Sequence, residues 1–254
     1  MNAGRLHVIG LGPGPERWLT PEASAALAEV TDLVGYAPYV ARAPHRDGVI
    51  RHVSDNRVEL DRARHALALA ANGRNVGVVS GGDPGIFAMA AAILEAIETG
   101  PTEWRALDIS VAPGVSAMQA AAARLGAPLG GDFCAISLSD NLKPWSLVAR
   151  RLQAASDGDF VIALYNPASL ARPEQIHEAF RLLREQRAAS TPVAFARAVG
   201  RSDERLVITT LGDADPGIAD MSTLVLIGAS TTRFVERPGA APWLLTPRSY
   251  EAVR

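Results

Sequence analysis

Cysteine is nearly absent from this 254-residue chain, where Cys134 stands alone. A single thiol builds neither a disulfide framework nor a cysteine-held metal cluster, and Cys134, inside an apolar run, reads as a core residue. Lysine is as scarce: Lys143 is the only one, so the basic residues are almost all arginine. Arginine favours forked contacts with carboxylates and phosphates, which suits a small polyanionic ligand, although a G+C-rich coding sequence gives the same bias. The net charge is −2 and no block of like charge occurs. Neutralising phosphates takes clustered cations, so nucleic acid is disfavoured as the main partner. No apolar run reaches membrane-spanning length. The start, Met1-Asn2-Ala3-Gly4-Arg5, leads straight into a strand and leaves no room for a signal peptide, so the expected location is the cytoplasm. No exact repeat, low-complexity segment, Ser-His-Asp set or metal-ligand cluster stands out, and no metal is expected.

What is present is ordinary globular composition, 48% hydrophobic and 20% charged, in a chain long enough for one large domain or two small ones. The stretch around which it is organised is Ser80-Gly81-Gly82-Asp83-Pro84-Gly85-Ile86-Phe87. A β-type run, Asn75-Val76-Gly77-Val78-Val79, leads in. Ile86, Ala90, Ile93, Leu94 and Ile97 lead out at helical spacing. The glycines permit positive φ or a close backbone approach. Asp83 reads as an N-cap and Pro84 as the first helical residue. A bare turn between a strand and its crossover helix is where open α/β sheets bind ligands.

An earlier turn, Gly10-Leu11-Gly12-Pro13-Gly14-Pro15, has the look of a dinucleotide loop with the wrong spacing. Prolines interrupt it, and the helix starts only near Thr20-Pro21-Glu22. Its N-terminus is displaced from the glycines, which argues against a nicotinamide-dependent oxidoreductase built on this loop. A third turn, Ala112-Pro113-Gly114-Val115-Ser116-Ala117, feeds a helix over 117–125. Asp55 is expected to cap a long helix reaching about 72, and Tyr36-Ala37-Pro38-Tyr39-Val40 to run into a loop carrying Arg42, His45 and Arg46. Alternating strands and helices point to an α/β fold with mainly parallel sheet. The breaker-rich stretch 126–131 is the best boundary marker, and the domains are drawn as 1–117 and 118–254. In the second, strands at 133–137, 160–164 and 192–196 alternate with helices ending near 155 and 187. Segments 205–211 and 223–227 are expected to pair as a late hairpin or meander.

Several of these motifs together resemble one family: Val8-Ile9-Gly10-Leu11-Gly12-Pro13-Gly14 with Leu19-Thr20, Ser80 to Ile86, Pro113-Gly114-Val115-Ser116-Ala117, Tyr165-Asn166-Pro167 and Leu226-Ile227-Gly228. They resemble the tetrapyrrole methylases, which methylate corrinoid and sirohaem precursors, and the likeness covers nearly the whole chain. Gly35 to Val40, Ser137 to Trp145 and Arg197 to Arg201 resemble the members that methylate precorrin-3B at C17. The resemblance implies a tetrapyrrole methylase fold of two α/β domains with a cofactor cleft between them, usually in a homodimer. It implies S-adenosyl-L-methionine as cofactor, S-adenosyl-L-homocysteine as its product, and methylation of precorrin-3B with ring contraction to precorrin-4 in cobalamin biosynthesis. Carried over by motif, cofactor contacts fall on Gly81, Gly82, Asp83, Ile86, Ser116 and Ala117, then on Asn166, Val199, Thr223 and Leu224. Pro13 lies at the edge of the cofactor and macrocycle sites. For the ring contraction a base must take a hydroxyl proton, and Ser139 and Asp140 are the nominees. Tyr36 and Tyr39 are placed to flank the macrocycle, and Arg42, Arg46, Arg197 and Arg201 to meet its carboxylates. The alternatives are a sister enzyme using the cobalt-containing intermediate or another ring carbon, and a non-catalytic corrinoid carrier.

Overall fold

The computed structural model describes residues 4–55 and 58–249. Met1, Asn2 and Ala3, on which the reading of a missing leader rests, lie outside the described residues. The chain divides into two units, one ending at Ala117 and the other beginning at Met118.

Unit one runs β1 (Arg5–Gly10), α1 (Pro21–Glu29), β2 (Asp32–Tyr36), α2 (Ala37–Arg42), β3 (Ile50–Ser54), α3 (Glu59–Ala71), β4 (Asn75–Ser80), α4 (Met89–Thr99) and β5 (Asp108–Ala112), and closes on the first residue of α5 (Ala117–Leu125). Its sheet has the order β3-β2-β4-β1-β5, and every pairing in it is parallel. Leu6, Val8, Ile9, Val76, Val78 and Val79 are buried, the near-continuous apolar run of strands covered on both faces. On one face Leu6, Val8, Val76 and Val78 meet Ala63, Ala66, Leu67 and Ala70 of α3 and Met89, Ile93 and Ala96 of α4. On the other, Ile9, Leu33 and Val79 meet Ala23 and Ala26 of α1 and Val40 of α2. The connections leaving β1 and β4 therefore diverge to opposite faces while the strands stay paired, with Gly10 opposite Ser80. Such a switch point opens a crevice at the carboxyl ends of the strands.

Unit two continues with β6 (Gly126–Ala127), β7 (Phe133–Ser137), α6 (Trp145–Asp157), β8 (Val161–Tyr165), α7 (Gln175–Gln186), β9 (Pro192–Arg197), β10 (Arg205–Thr210), β11 (Thr223–Ile227), β12 (Arg233–Arg237) and β13 (Ala240–Leu245). Its main sheet has the order β10-β9-β11-β8-β7. Val148 and Leu152 of α6 and Ile176, Phe180 and Leu183 of α7 pack on Ile136, Ile162, Val193, Phe195 and Val225. Phe180 stacks on Phe195 with ring centroids 5.8 Å apart.

The structure corrects several expectations. Only β7 and β8 are parallel in the second sheet; β9 pairs antiparallel with both β10 and β11. Segments 205–211 and 223–227 thus form no hairpin with each other, because β9 lies between them. The breaker-rich stretch is no linker: Gly126 and Ala127 pair with Leu244 and Leu245 of β13 inside unit two. Of the loop expected to carry Arg42, His45 and Arg46, Arg42 lies instead in helix α2, while His45 and Arg46 follow it in a loop. Asp55 does not cap α3, whose described N-cap is Val58; the Asp55 carbonyl instead accepts from Arg62 Nη2 at 2.6 Å. Residues 56 and 57, within the expected start of that helix, lie outside the described residues. Among the described residues, no helix is long and apolar enough to cross a membrane.

Candidate functional site

The three glycine turns leave the carboxyl ends of β4, β1 and β5, which are adjacent strands. They are packed backbone on backbone. Gly12 and Gly82 form an antiparallel bridge, the Gly82 N–H donating to Gly12 O at 2.9 Å and the Gly12 N–H to Gly82 O at 3.2 Å. A Cβ on Gly114 would stand 2.3 Å from Gly82 O, and one on Gly10 would stand 2.6 Å from Gly114 N. Glycine is required at both positions by contact, whatever the φ angle. Gly12 and Gly82 add the other reason, with φ of +65° and +72°.

Asp83 is where the structure departs most from expectation. No helix starts at Pro84; α4 begins at Met89. The Asp83 carboxylate accepts the Gly85 N–H on Oδ1 at 2.8 Å and the Gly114 N–H on Oδ2 at 3.0 Å. It therefore staples the β4 turn to the β5 turn instead of capping a helix. The loop runs on through Phe87, a non-glycine residue at φ +51°. The buried face of α4 is then Met89, Ile93 and Ala96, while Leu94, expected on the core stripe, is 63% exposed.

Gly82 differs from its glycine neighbours. A Cβ there would meet nothing closer than Ala117 N and Ser116 Cα, both at 3.9 Å. Its bare side thus faces the chain entering α5, with Ser116 buried and Ala117 as the first residue of a nine-residue helix. Gly81 is held from the other side: a Cβ would lie 2.7 Å from Cε1 of Tyr39. Tyr39 in turn meets Tyr36 edge-on, with ring centroids 5.5 Å apart. In the first loop, Trp18 O lies 3.1 Å from a Cβ built on Gly12, and α1 starts well downstream at Pro21. No helix N-terminus opens at Gly10–Gly14, as the interrupted spacing implied. Pro13 sits inside this loop. Arg42 donates from Nη2 to Gly12 O at 2.9 Å and to Gly14 O at 3.3 Å; the structure uses this guanidinium to hold the loop. Arg46 donates to the carbonyl of Val30.

In unit two the candidates gather at the ends of β7, β8, β9 and β11. Ser137 Oγ is the hub that sequence reasoning missed: it accepts from Asn166 Nδ2 at 2.9 Å and from Ser139 N–H at 3.3 Å. Its sequence signals were its place at the end of a strand and at the head of the Ser137 to Trp145 motif. Asn166 and Ala198 both take positive φ, +51° and +49°, and backbone strain of this kind concentrates at functional sites. The Ser139 carbonyl accepts from Lys143 Nζ at 2.9 Å. Asp140 Oδ2 accepts from Gln175 Nε2 at 2.9 Å. Val199, Thr223 and Leu224 are buried. Thr223 Oγ1 donates to Asp220 Oδ1 at 2.8 Å.

Arg197, expected to meet a substrate carboxylate, already lies between two of the chain's own. Its Nε donates to Asp220 Oδ2 and its Nη1 to Asp203 Oδ2, both at 2.8 Å. The hydrogen bonds it donates to Asp203 and then to Asp220 push the pKa of the Arg197 guanidinium upward. Burial raises the Asp220 carboxyl, but bonds from Arg197, Thr223 and the Ser222 N–H outweigh it and hold it below the ordinary carboxylate value. Arg201 is exposed. Cys134 is half-buried, and burial pushes its thiol up.

A model of the family described as tetrapyrrole (corrin/porphyrin) methylases matches residues 5–215. Over 247 residues, 97% of each chain, the sequence is 56% identical to a Sinorhizobium protein named precorrin-3B C(17)-methyltransferase. Over 246 residues, 96% of this chain and 99% of the relative, it is 39% identical to a Salmonella typhimurium protein named probable cobalt-factor III C(17)-methyltransferase. Among solved structures, that of the methyltransferase CobJ superposes with a TM-score of 0.91 at 52% identity, covering 96% of this chain and all of that one.

Proposed function

The chain belongs to the tetrapyrrole methylase family, and from that premise we propose that it transfers a methyl group from S-adenosyl-L-methionine to C17 of precorrin-3B. Ring contraction to precorrin-4 accompanies the transfer, as a step of cobalamin biosynthesis. The observation that carries this reading is 56% identity sustained over 97% of both chains. The likeness therefore runs through both units and through the turns that leave their strands.

When bound, the cofactor supplies a methyl on a positively charged sulfur whose departure needs no proton. The residues then have to align the methyl with the attacking carbon, and no strong acid is required of them. The three stapled turns suit that task because they are rigid where they touch and bare at Gly82. We assign the cofactor to Gly81, Gly82, Asp83, Ile86, Ser116 and Ala117, with Pro13 at its edge, and to Asn166, Val199, Thr223 and Leu224 of unit two. Asp83 keeps lone pairs beyond the two that accept N–H groups, and these suit an amine or hydroxyl of the cofactor. The proton lost in ring contraction goes to the Asp140 carboxylate, directly or by relay through the Ser139 hydroxyl, which gives up its own proton as it accepts one. Tyr36 and Tyr39 flank the ring, and Arg201 meets a carboxylate at its rim. Arg42 and Arg197 act on the substrate through the loops they hold. The enzyme works as a homodimer, as the family resemblance implies, and we place it in the cytoplasm.

Incubation of the purified protein with S-adenosylmethionine and precorrin-3B tests the reading. The expected result is one added methyl by mass spectrometry, a contracted-ring absorption spectrum, and calorimetric binding of S-adenosylhomocysteine. No product and no heat would overturn it. The likeness to the Salmonella protein supports a second reading, in which the macrocycle already carries cobalt. Running cobalt-factor III beside precorrin-3B separates the two by their kcat/KM values.

A further inference from the structure

Arg172 is buried, 8% exposed, yet its Nε and Nη1 have no hydrogen-bond partner. Its Nη2 donates to Met221 Sδ at 3.8 Å, a weak acceptor. Asp140 Oδ1 approaches Nε only to 4.0 Å, too far for a hydrogen bond. Among the described residues, the buried Arg62 and the half-buried Arg187 are better supplied. Arg62 donates to Ser54 Oγ and Asp55 O, and Arg187 to Ser156 Oγ and the carbonyls of Ala155, Phe160 and Gly228. An unmatched buried donor costs its full desolvation, more when charged. Arg172 is therefore a group whose acceptor comes from outside.

Its surroundings select an anion. Ser169 Oγ is buried without a partner as well. The two residues close one tight loop, the Ser169 N–H donating to Arg172 O at 3.1 Å and the Arg172 N–H to Ser169 O at 2.9 Å. Lys143 is half-buried, and burial, then the positive charge of Arg151, lowers its pKa; Asp140 opposes this and Arg172 adds to it. Lys143 thus lies within electrostatic range of Arg151, Arg172 and the Asp140 carboxylate, and Asp140 is also the carboxylate that approaches Arg172. The loops that carry Lys143 and Arg172 also carry Leu142 and Leu170, both almost fully exposed.

We propose that Arg172, with Ser169 and Lys143, forms a carboxylate-binding subsite of unit two that holds one acidic side arm of the macrocycle. The proposal rests on the tetrapyrrole reading above. The planar guanidinium offers two N–H groups to a carboxylate at once, which fixes the side arm in direction as well as position. The residues named for substrate carboxylates from the sequence did not include Arg172, because spacing cannot show which arginine is left without an acceptor.

Steady-state kinetics with precorrin-3B and calorimetry with S-adenosylhomocysteine test it on three variants. Arg172→Gln should raise KM about tenfold to a hundredfold, the loss expected for a charged hydrogen bond, with kcat within a few-fold and S-adenosylhomocysteine affinity unchanged. Arg172→Lys should recover part of the KM, and Ser169→Ala, which removes one hydroxyl and leaves the loop's backbone bonds, should raise it a few-fold. Unchanged KM in Arg172→Gln and Ser169→Ala, beside an active wild type, would overturn the subsite and leave the enzyme assignment standing. Loss of melting temperature in Arg172→Gln with an unchanged KM in Ser169→Ala would make Arg172 a packing residue and also overturn it. A wild-type protein that neither binds S-adenosylhomocysteine nor turns over precorrin-3B would overturn the enzyme assignment and the subsite with it.

Discussion

Replacing Asp83 by asparagine keeps the shape of the side chain and removes its charge and one acceptor. In the native protein Oδ1 takes the Gly85 N–H at 2.8 Å and Oδ2 the Gly114 N–H at 3.0 Å. The amide has one oxygen, so its NH2 must face the second donor. Gly85 is exposed, and water replaces the bond there at small cost. The oxygen then stays with Gly114, and that bond becomes neutral. A hydrogen bond to a charged group contributes about 1.5–3 kcal/mol net and a neutral one about 0.5–1.5 kcal/mol. Neutralising one bond and exchanging the other for water together cost about 2 kcal/mol. At about 2–4 °C per kcal/mol for a chain of this size, the melting temperature should fall by about 4–8 °C. The loosened β4 turn should also weaken S-adenosylhomocysteine at least tenfold by titration calorimetry. An Asp83→Asn variant that melts with the wild type and binds the ligand equally well would refute the stapling role. A variant that loses only affinity would make Asp83 a ligand contact that the loops do not need.

Two further predictions follow from the same unit. Gly114→Ala places a methyl 2.3 Å from Gly82 O, where only backbone can yield; it should cost more than about 3 kcal/mol and abolish S-adenosylhomocysteine binding. Gly48→Ala, at φ +80° with nothing within 4 Å, carries backbone strain alone and should cost about 1 kcal/mol, so equal chemical-denaturation midpoints for the two would contradict the contact argument. Asp32, 1% exposed, accepts from Arg74 Nε at 2.6 Å and pairs with His52 Nε2 at 2.8 Å. Burial raises its carboxyl, but hydrogen bonds from His52, Arg74 and Thr31 and the Arg74 charge outweigh this and hold it below the ordinary value. A carboxyl depressed in the folded state adds stability that is complete above its unfolded pKa of about 3.9 and is lost as pH falls through the lower folded value. Asp32→Asn should therefore lower stability at pH 7 and flatten the acid limb of the stability profile; an unchanged limb would remove Asp32 from acid unfolding.

The sequence alone determined the family, the alternation of strand and helix in unit one, and the places where the backbone must be bare. Those are local properties: apolar runs bounded by glycine and proline, and short motifs whose residue types are fixed by chain geometry. The face of α7 was equally legible, because Ile176, Phe180 and Leu183 recur at helical spacing and are all buried. The role of Asp83 was not legible. An aspartate before a proline is a good cap by propensity, and only the fold brings the Gly114 N–H, 31 residues away, close enough to compete for its carboxylate. The late hairpin failed for a related reason: strand pattern gives the strands but not their neighbours, and the unit-two sheet inserts β9 between the two segments expected to pair. Arginine shows the same limit. In the sequence Arg42, Arg172 and Arg197 are alike, and tertiary packing alone gives Arg42 carbonyl oxygens, gives Arg197 two carboxylates, and leaves Nε and Nη1 of Arg172 without an acceptor. Residue type sets what a side chain is able to bond, while burial and the elements that converge on it decide which of those bonds are made.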